Sequence, residues 1–204
     1  MTASRDPSSD SARLFVAVRP PPDARAELAL ALAHVRDAGR AFRWVREGQL
    51  HLTLRFVGAV DRSLIGEVSQ NLDLAVSPHH PFQLDIRGTG CFPGPRRPRV
   101  LWAGVESTPE LLELQAAVEV AVRNAGCAPE DRPFLPHITV ARIRPGSVVD
   151  EGVVADLDST RLAIRVPVRE VALMESTLSP AGARHRALRV CPLGRGSGGV
   201  VTPR

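Results

Sequence analysis

Apolar and polar positions follow two different periods along this chain. Arg13-Leu-Phe-Val-Ala17 is a short apolar run suited to a buried strand. Pro20-Pro-Pro-Asp23 then opens a segment with Leu28, Ala31, Leu32 and Val35 at helical spacing, ending near Gly39. His51-Leu-Thr53-Leu alternates with the period of a strand, so His and Thr share one face and the leucines take the other. Asp61 is placed to cap a helix carrying Leu64, Val68, Leu72 and Ala75 on one face. Ser77-Pro-His-His-Pro81 breaks that helix, Phe82–Ile86 alternates as a half-exposed strand, and Gly88–Arg99 reads as a loop.

The same pattern then restarts. His51-Leu-Thr53-Leu recurs as His137-Ile-Thr139-Val, 86 residues later, and the same shift lays Arg13–Ala17 on Arg99-Val-Leu-Trp-Ala103. Ser107-Thr-Pro-Glu110 is a helix start, followed by Leu111, Leu114, Val118 and Val122, with Gly126 as the stop. Arg144-Pro-Gly146 ends the second His-Thr strand, and the polar stretch 150–160 reads as a connection. Leu162–Val166, Val168–Met174 and His185–Val190 are predicted strands, with a turn at Ser179-Pro-Ala-Gly182. The expected fold is α+β and bilobal: two pseudo-twofold strand–helix–strand units, antiparallel sheets lining a central groove, helices outside. Residues 13–193 form that single domain, and 1–12 and 194–204 are expected to be disordered tails.

Composition narrows the classes. No apolar run approaches the length of a membrane span, and the first residues lack a signal-peptide core. Cys91, Cys127 and Cys191 are odd in number and far apart, which points to free thiols in a reducing cytoplasm. Every cationic side chain other than histidine is arginine, and the net charge of +4 permits a polyanionic ligand without requiring one.

The candidate chemistry lies in the repeated motif. Two His-x-Thr strands meeting across a pseudo-twofold axis supply two imidazoles and two hydroxyls to one cleft, which is an acid–base set for phosphate chemistry. A metal site is not expected, because neither motif has a carboxylate or second histidine at ligand spacing; His79 and His80 lie in a loop and His34 on a helix surface. Five residues after each histidine stand Phe56 and Arg142. On a regular strand that odd offset points them away from the cleft, and a bulge would turn them back. There they could grip a nucleotide base between a ring and a guanidinium; otherwise Phe56 packs in the core and Arg142 is solvated. The Arg96, Arg97 and Arg99 loop is either an RNA-phosphate contact or plain surface.

Arg13–Ala17, His51-Leu-Thr-Leu-Arg-Phe-Val-Gly58, Pro136-His-Ile-Thr-Val-Ala-Arg142 and Glu175–Ala183 resemble the bacterial and archaeal RNA 2′,3′-cyclic phosphodiesterases. These form the LigT-like branch of the two-histidine phosphoesterases, and the resemblance spans about residues 13–193. It implies a metal-independent, cofactor-free hydrolysis of a terminal ribose 2′,3′-cyclic phosphate to a 2′-phosphate. RNA or oligonucleotide ends would be the partners of a monomeric, cytoplasmic enzyme. Some members also join tRNA halves through a 2′,5′ linkage. The resemblance further implies that His51 protonates the departing 3′-oxygen, that His137 activates water, and that Phe56 and Arg142 hold the base. His185 stands where the family commonly carries an aromatic such as Tyr. Two other readings remain: a relative acting on another cyclic phosphate or a 2′,5′-linked oligonucleotide, and a non-catalytic RNA-binding protein.

Overall fold

The computed structural model describes residues 10–38, 41–144, 146–149, 151–179 and 182–194. The chain runs β1 (Ser11–Val18), α1 (Pro22–Ala31), α2 (Ala33–Ala38), β2 (Phe42–Trp44), a 3-10 turn (Glu47–Gln49), β3 (Leu52–Asp61) and α3 (Leu64–Val76). It continues through β4 (Phe82–Phe92), β5 (Val100–Val105), α4 (Pro109–Asn124), β6 (His137–Ile143), α5 (Glu151–Ser159), β7 (Ile164–Val168), β8 (Glu170–Ser179) and β9 (Gly182–Pro192).

All strand pairings are antiparallel, in the order β7-β4-β5-β6-β3-β1-β8-β9, with β2 on the far end of β6. That order is symmetric about the junction of β3 and β6. The two halves join there through one residue pair, Leu52 with Ile138, which are themselves 86 residues apart. A pair formed by two equivalent residues is what a pseudo-twofold axis between the strands requires. The half-sheets therefore make one continuous sheet that curls around the groove.

The helices cross between the halves. Helix α1 leaves β1 to pack on β7, and α5 packs on β4; α4 leaves β5 to pack on β3, alongside α3, which also covers β9. Each lobe is thus closed by a helix from the other half's unit. Leu111, Leu114, Val118 and Val122 are fully buried along one face of α4, and Leu28, Leu32 and Val35 play that part across α1 and α2. Thr108 caps α4 by accepting from the Leu111 amide, and Gly126 takes a positive φ of 82° just after its end.

Several local expectations change. Strand β1 begins at Ser11, inside the expected tail, because Ser11 and Ala12 pair with Asp61 and Val60 and Ala12 is buried. Residues 1–9 and 195–204, and 180–181 of the expected turn, lie outside the described residues. Strand β4 runs on to Phe92 through the predicted loop, since its second half pairs with β5. Asp61 closes a turn onto the amide and hydroxyl of Ser63 rather than capping α3 directly. The stretch read as a connection forms α5, whose Val153 and Leu157 are buried one turn apart. No helix among the described residues is long and apolar enough to cross a membrane.

Candidate active site

The curled sheet leaves a cavity of about 800 Å³ on the face opposite the helices, a size suited to a nucleotide-scale ligand. His51, Thr53, Phe56, His137, Thr139 and Arg142 all line it. The sequence dictates this through two matching stretches. From Leu52 and from Ile138, burial runs identically: core, groove, core, core, exposed. Leu52, Leu54, Ile138 and Val140 enter the core, while Thr53 and Thr139 stay half-exposed in the groove.

The repeated core position marks a bulge in each strand. Opposite β1 the pairing steps from Thr53 to Arg55, skipping Leu54; opposite β5 it steps from Thr139 to Ala141, skipping Val140. One extra residue inverts the side-chain parity beyond it. Phe56 and Arg142, at an odd offset from the histidines, are thereby returned to the groove. Phe56 is 49% exposed there, too much for a core ring.

The two imidazoles are held alike. His51 Nδ1 lies 2.7 Å from the Gln49 carbonyl and His137 Nδ1 lies 2.6 Å from the Leu135 carbonyl, again residues 86 apart. A carbonyl only accepts, so each Nδ1 carries the proton and each Nε2 is left to exchange one. Their packing differs in detail. His51 sits between Phe15, at 4.8 Å between ring centroids, and the edge of His185, at 5.1 Å. His137 meets Phe92 edge-on at 5.1 Å, with Trp102 beyond. Gly90 lies beneath the Trp102 ring, where any Cβ would collide with it.

Burial pushes His51 down to about 4. The Gln49 carbonyl opposes that shift, and the charges of His185, Arg142 and His137 add to it. This imidazole is therefore neutral at pH 7. Burial also lowers His185, with Arg142 adding to the effect. The unfolded chain protonates its histidines near pH 6.5, so stability contributed by neutral His51 is complete above that pH and is lost as pH falls toward 4. We expect wild type to lose up to about 3 kcal/mol more than His51→Asn across this window, read by urea unfolding at successive pH values. Equal slopes for the two proteins would contradict the assignment.

The groove is also cationic. Arg13, Arg43, Arg46, Arg132, Arg142 and Arg184 line it, and among the described residues only Arg132 has an acidic partner, Glu130. The hydroxyls of Thr53 and Thr139 face the same space, and no described protein group hydrogen-bonds to either. Among the described residues no three His, Cys, Asp or Glu side chains gather as a metal-ligand set.

Three groove features escaped the sequence reading. The guanidinium over the Phe56 ring belongs to Arg132, 5.4 Å from the ring centroid, and not to Arg142, which stands exposed on the opposite half. Glu130 orients Arg132 through a bidentate pair, both bonds 2.8 Å, and the buried Arg55 reaches that loop in turn. His185, which showed no role in the sequence, is part of the wall around His51. The 86-residue register offered one clue to Arg132, because it is the equivalent of Arg46.

Residues 20–179 match the 2′-5′ RNA ligase superfamily. An RNA 2′,3′-cyclic phosphodiesterase from Thermotoga maritima is 30% identical over 189 residues, 93% of this chain and 98% of the relative. One from Thermus thermophilus is 35% identical over 184 residues, 86% and 87% of the two chains. Among solved structures, a Thermus thermophilus protein superposes with a TM-score of 0.77 at 32% identity, covering 90% of this chain and 100% of its own. E. coli LigT complexed with 3′-AMP superposes with a TM-score of 0.69 at 26% identity, covering 90% and 99%. Both His-x-Thr strands lie within the matched span, and the chain belongs to the 2′-5′ RNA ligase superfamily, the two-histidine phosphoesterases.

Proposed function

We propose that this protein hydrolyses the 2′,3′-cyclic phosphate at an RNA 3′ end to a 2′-phosphate, without a metal, using His51 and His137 as the acid–base pair. The observation that carries the reading is the matched anchoring of the two imidazoles on one groove, each with Nε2 free and a threonine hydroxyl beside it. The relatives named RNA 2′,3′-cyclic phosphodiesterase support the choice of substrate.

Opening a cyclic phosphodiester needs an in-line attack. His137 Nε2 takes a proton from water as its oxygen bonds to phosphorus. The bond from phosphorus to the 3′-oxygen breaks on the other side, and His51 Nε2 protonates that oxygen. The products are a 2′-phosphomonoester and a 3′-hydroxyl, and the histidines exchange protons with solvent to reset. Burial by the protein alone keeps His51 neutral; an anionic phosphodiester beside it opposes the desolvation and supplies the charge that lets it hold its proton. Thr53 and Thr139 donate to the two non-bridging oxygens as charge builds on them. Giving the acid role to His51 follows the family resemblance, since the two halves anchor their histidines identically.

Turnover of a 2′,3′-cyclic mononucleotide should continue undiminished in EDTA, with a bell-shaped dependence of kcat on pH. Activity lost to chelator and restored by zinc or manganese would overturn this reading. Binding without turnover would favour a non-catalytic RNA-binding protein.

The base stacks on Phe56, with Arg132 and Arg142 as the available guanidiniums. Base–aromatic stacking contributes about 1–3 kcal/mol per base. Phe56→Ala should therefore raise KM for the mononucleotide by about tenfold while kcat changes little. An unchanged KM would remove Phe56 from the binding surface.

A further inference from the structure

A second cavity, of about 1010 Å³, opens where the β4–β5 loop meets the end of β6 and α5. Arg96, Arg97, Arg99 and Arg144 line it, and Asp158 is the one acid among the described lining residues. Among the described residues none of these four arginines has an ion-pair partner, and the three on the loop are exposed. Four guanidiniums around one cavity, outnumbering the acid in its described lining, form a site for a polyanion.

The backbone fixes where this site lies. The Arg99 amide donates to Phe92 and the Arg99 carbonyl accepts from Ile143, so the loop is tied to both flanking strands. The Arg144 amide donates to Ala41. Arg142 lines the catalytic groove, and Ile143 and Arg144 line the second cavity. Two strand residues span about 7 Å, so the cationic rim of one cavity runs directly into the other. Arg43, paired with Arg142 on β2, extends that rim.

We propose that this second cavity binds the backbone phosphates of the RNA on the 5′ side of the terminal nucleotide. The inference rests on the proposed function: a cyclic-phosphate end held at His51 and His137 leaves its chain only on the 5′ side, and the arginine rim leads to the cavity. Phosphate contacts of this kind position a strand without reading its sequence. They supply affinity in proportion to chain length, so they set a preference for oligonucleotides over mononucleotides.

The test compares a 2′,3′-cyclic mononucleotide with an eight-nucleotide RNA ending in a 2′,3′-cyclic phosphate, using wild type and an Arg96→Gln, Arg97→Gln, Arg99→Gln variant. Wild type should show a KM at least tenfold lower for the oligonucleotide, with a steeper salt dependence. The variant should lose that advantage and turn over the mononucleotide within twofold of wild type. Each lost phosphate contact should flatten the slope of log KM against log salt by about 0.7. Equal KM for both substrates in wild type, or an unchanged oligonucleotide KM in the variant, overturns the proposal. If wild type turns over neither substrate, it is the proposed function that fails. Binding of the labelled oligonucleotide then decides: at least tenfold weaker binding by the variant supports the RNA track, and equal binding overturns it.

Discussion

His51→Ala and His137→Ala are each expected to lose about three orders of magnitude or more in kcat on a 2′,3′-cyclic mononucleotide while remaining folded. Positioned proton transfer typically contributes 10²- to 10⁴-fold, and each histidine handles a different proton of one displacement. Because the two act within one step, the double variant should be little worse than either single one. Neither side chain is part of the apolar core, so at pH 7, above the window in which buried His51 titrates, circular dichroism and unfolding midpoints should stay close to wild type. A single variant keeping near-full activity would refute the paired mechanism. An equal loss accompanied by unfolding would refute the purely chemical role.

Arg55→Met should be the most destabilising single change around the groove, at about 3 kcal/mol in urea unfolding. Arg55 is 4% exposed, pairs with Glu119, and donates to the carbonyls of Phe56 and Ala128. Glu130 approaches the same guanidinium at 3.9 Å. Removing the cation leaves the partly buried Glu119 unpaired, leaves Glu130 with Arg132 alone, and strands two carbonyls together, which is the costly way to break such a network. The same change frees the loop that carries Glu130 and Arg132, so KM should rise along with the loss of stability. A cost under about 1 kcal/mol would show that the carboxylates rehydrate freely. Ala141, the equivalent of Arg55 on β6, fills its position without a charge, so the bulge itself does not require one.

The duplicated frame was legible because its signals are local and strongly periodic. The apolar runs within Arg13–Ala17 and Arg99–Ala103, the helix start at Thr108 and the twin His-x-Thr strands all survive as structure. A shift of 86 residues alone was enough to bring the motifs to one groove. The facing of Phe56 and Arg142 was not decidable, because a bulge leaves no composition signal: Leu54 and Val140 read as ordinary strand residues. Helix α5 was hidden by Asp156, Asp158 and Ser159, which outnumber its two buried apolar positions, and by a one-residue slip that aligns Val153 and Leu157 with Val68 and Leu72 at 85 rather than 86. Strand β2 has three residues and exists by pairing with β6, so no sequence period could reveal it. Arg132 over Phe56, and Arg55 behind it, depend on a loop folding back onto β3, which is a tertiary contact with no local pattern.

Paired histidines that direct water to a ribose cyclic phosphate and release the 3′-oxygen leave a defined product. The most direct measurement is the product of an RNA ending in a 2′,3′-cyclic phosphate, incubated with the protein in EDTA and ¹⁸O-labelled water. The expected product is a 2′-phosphate end carrying one ¹⁸O and a free 3′-hydroxyl, formed by wild type and not by His51→Ala or His137→Ala. A 3′-phosphate product, or a 2′-phosphate formed equally by either variant, would contradict it.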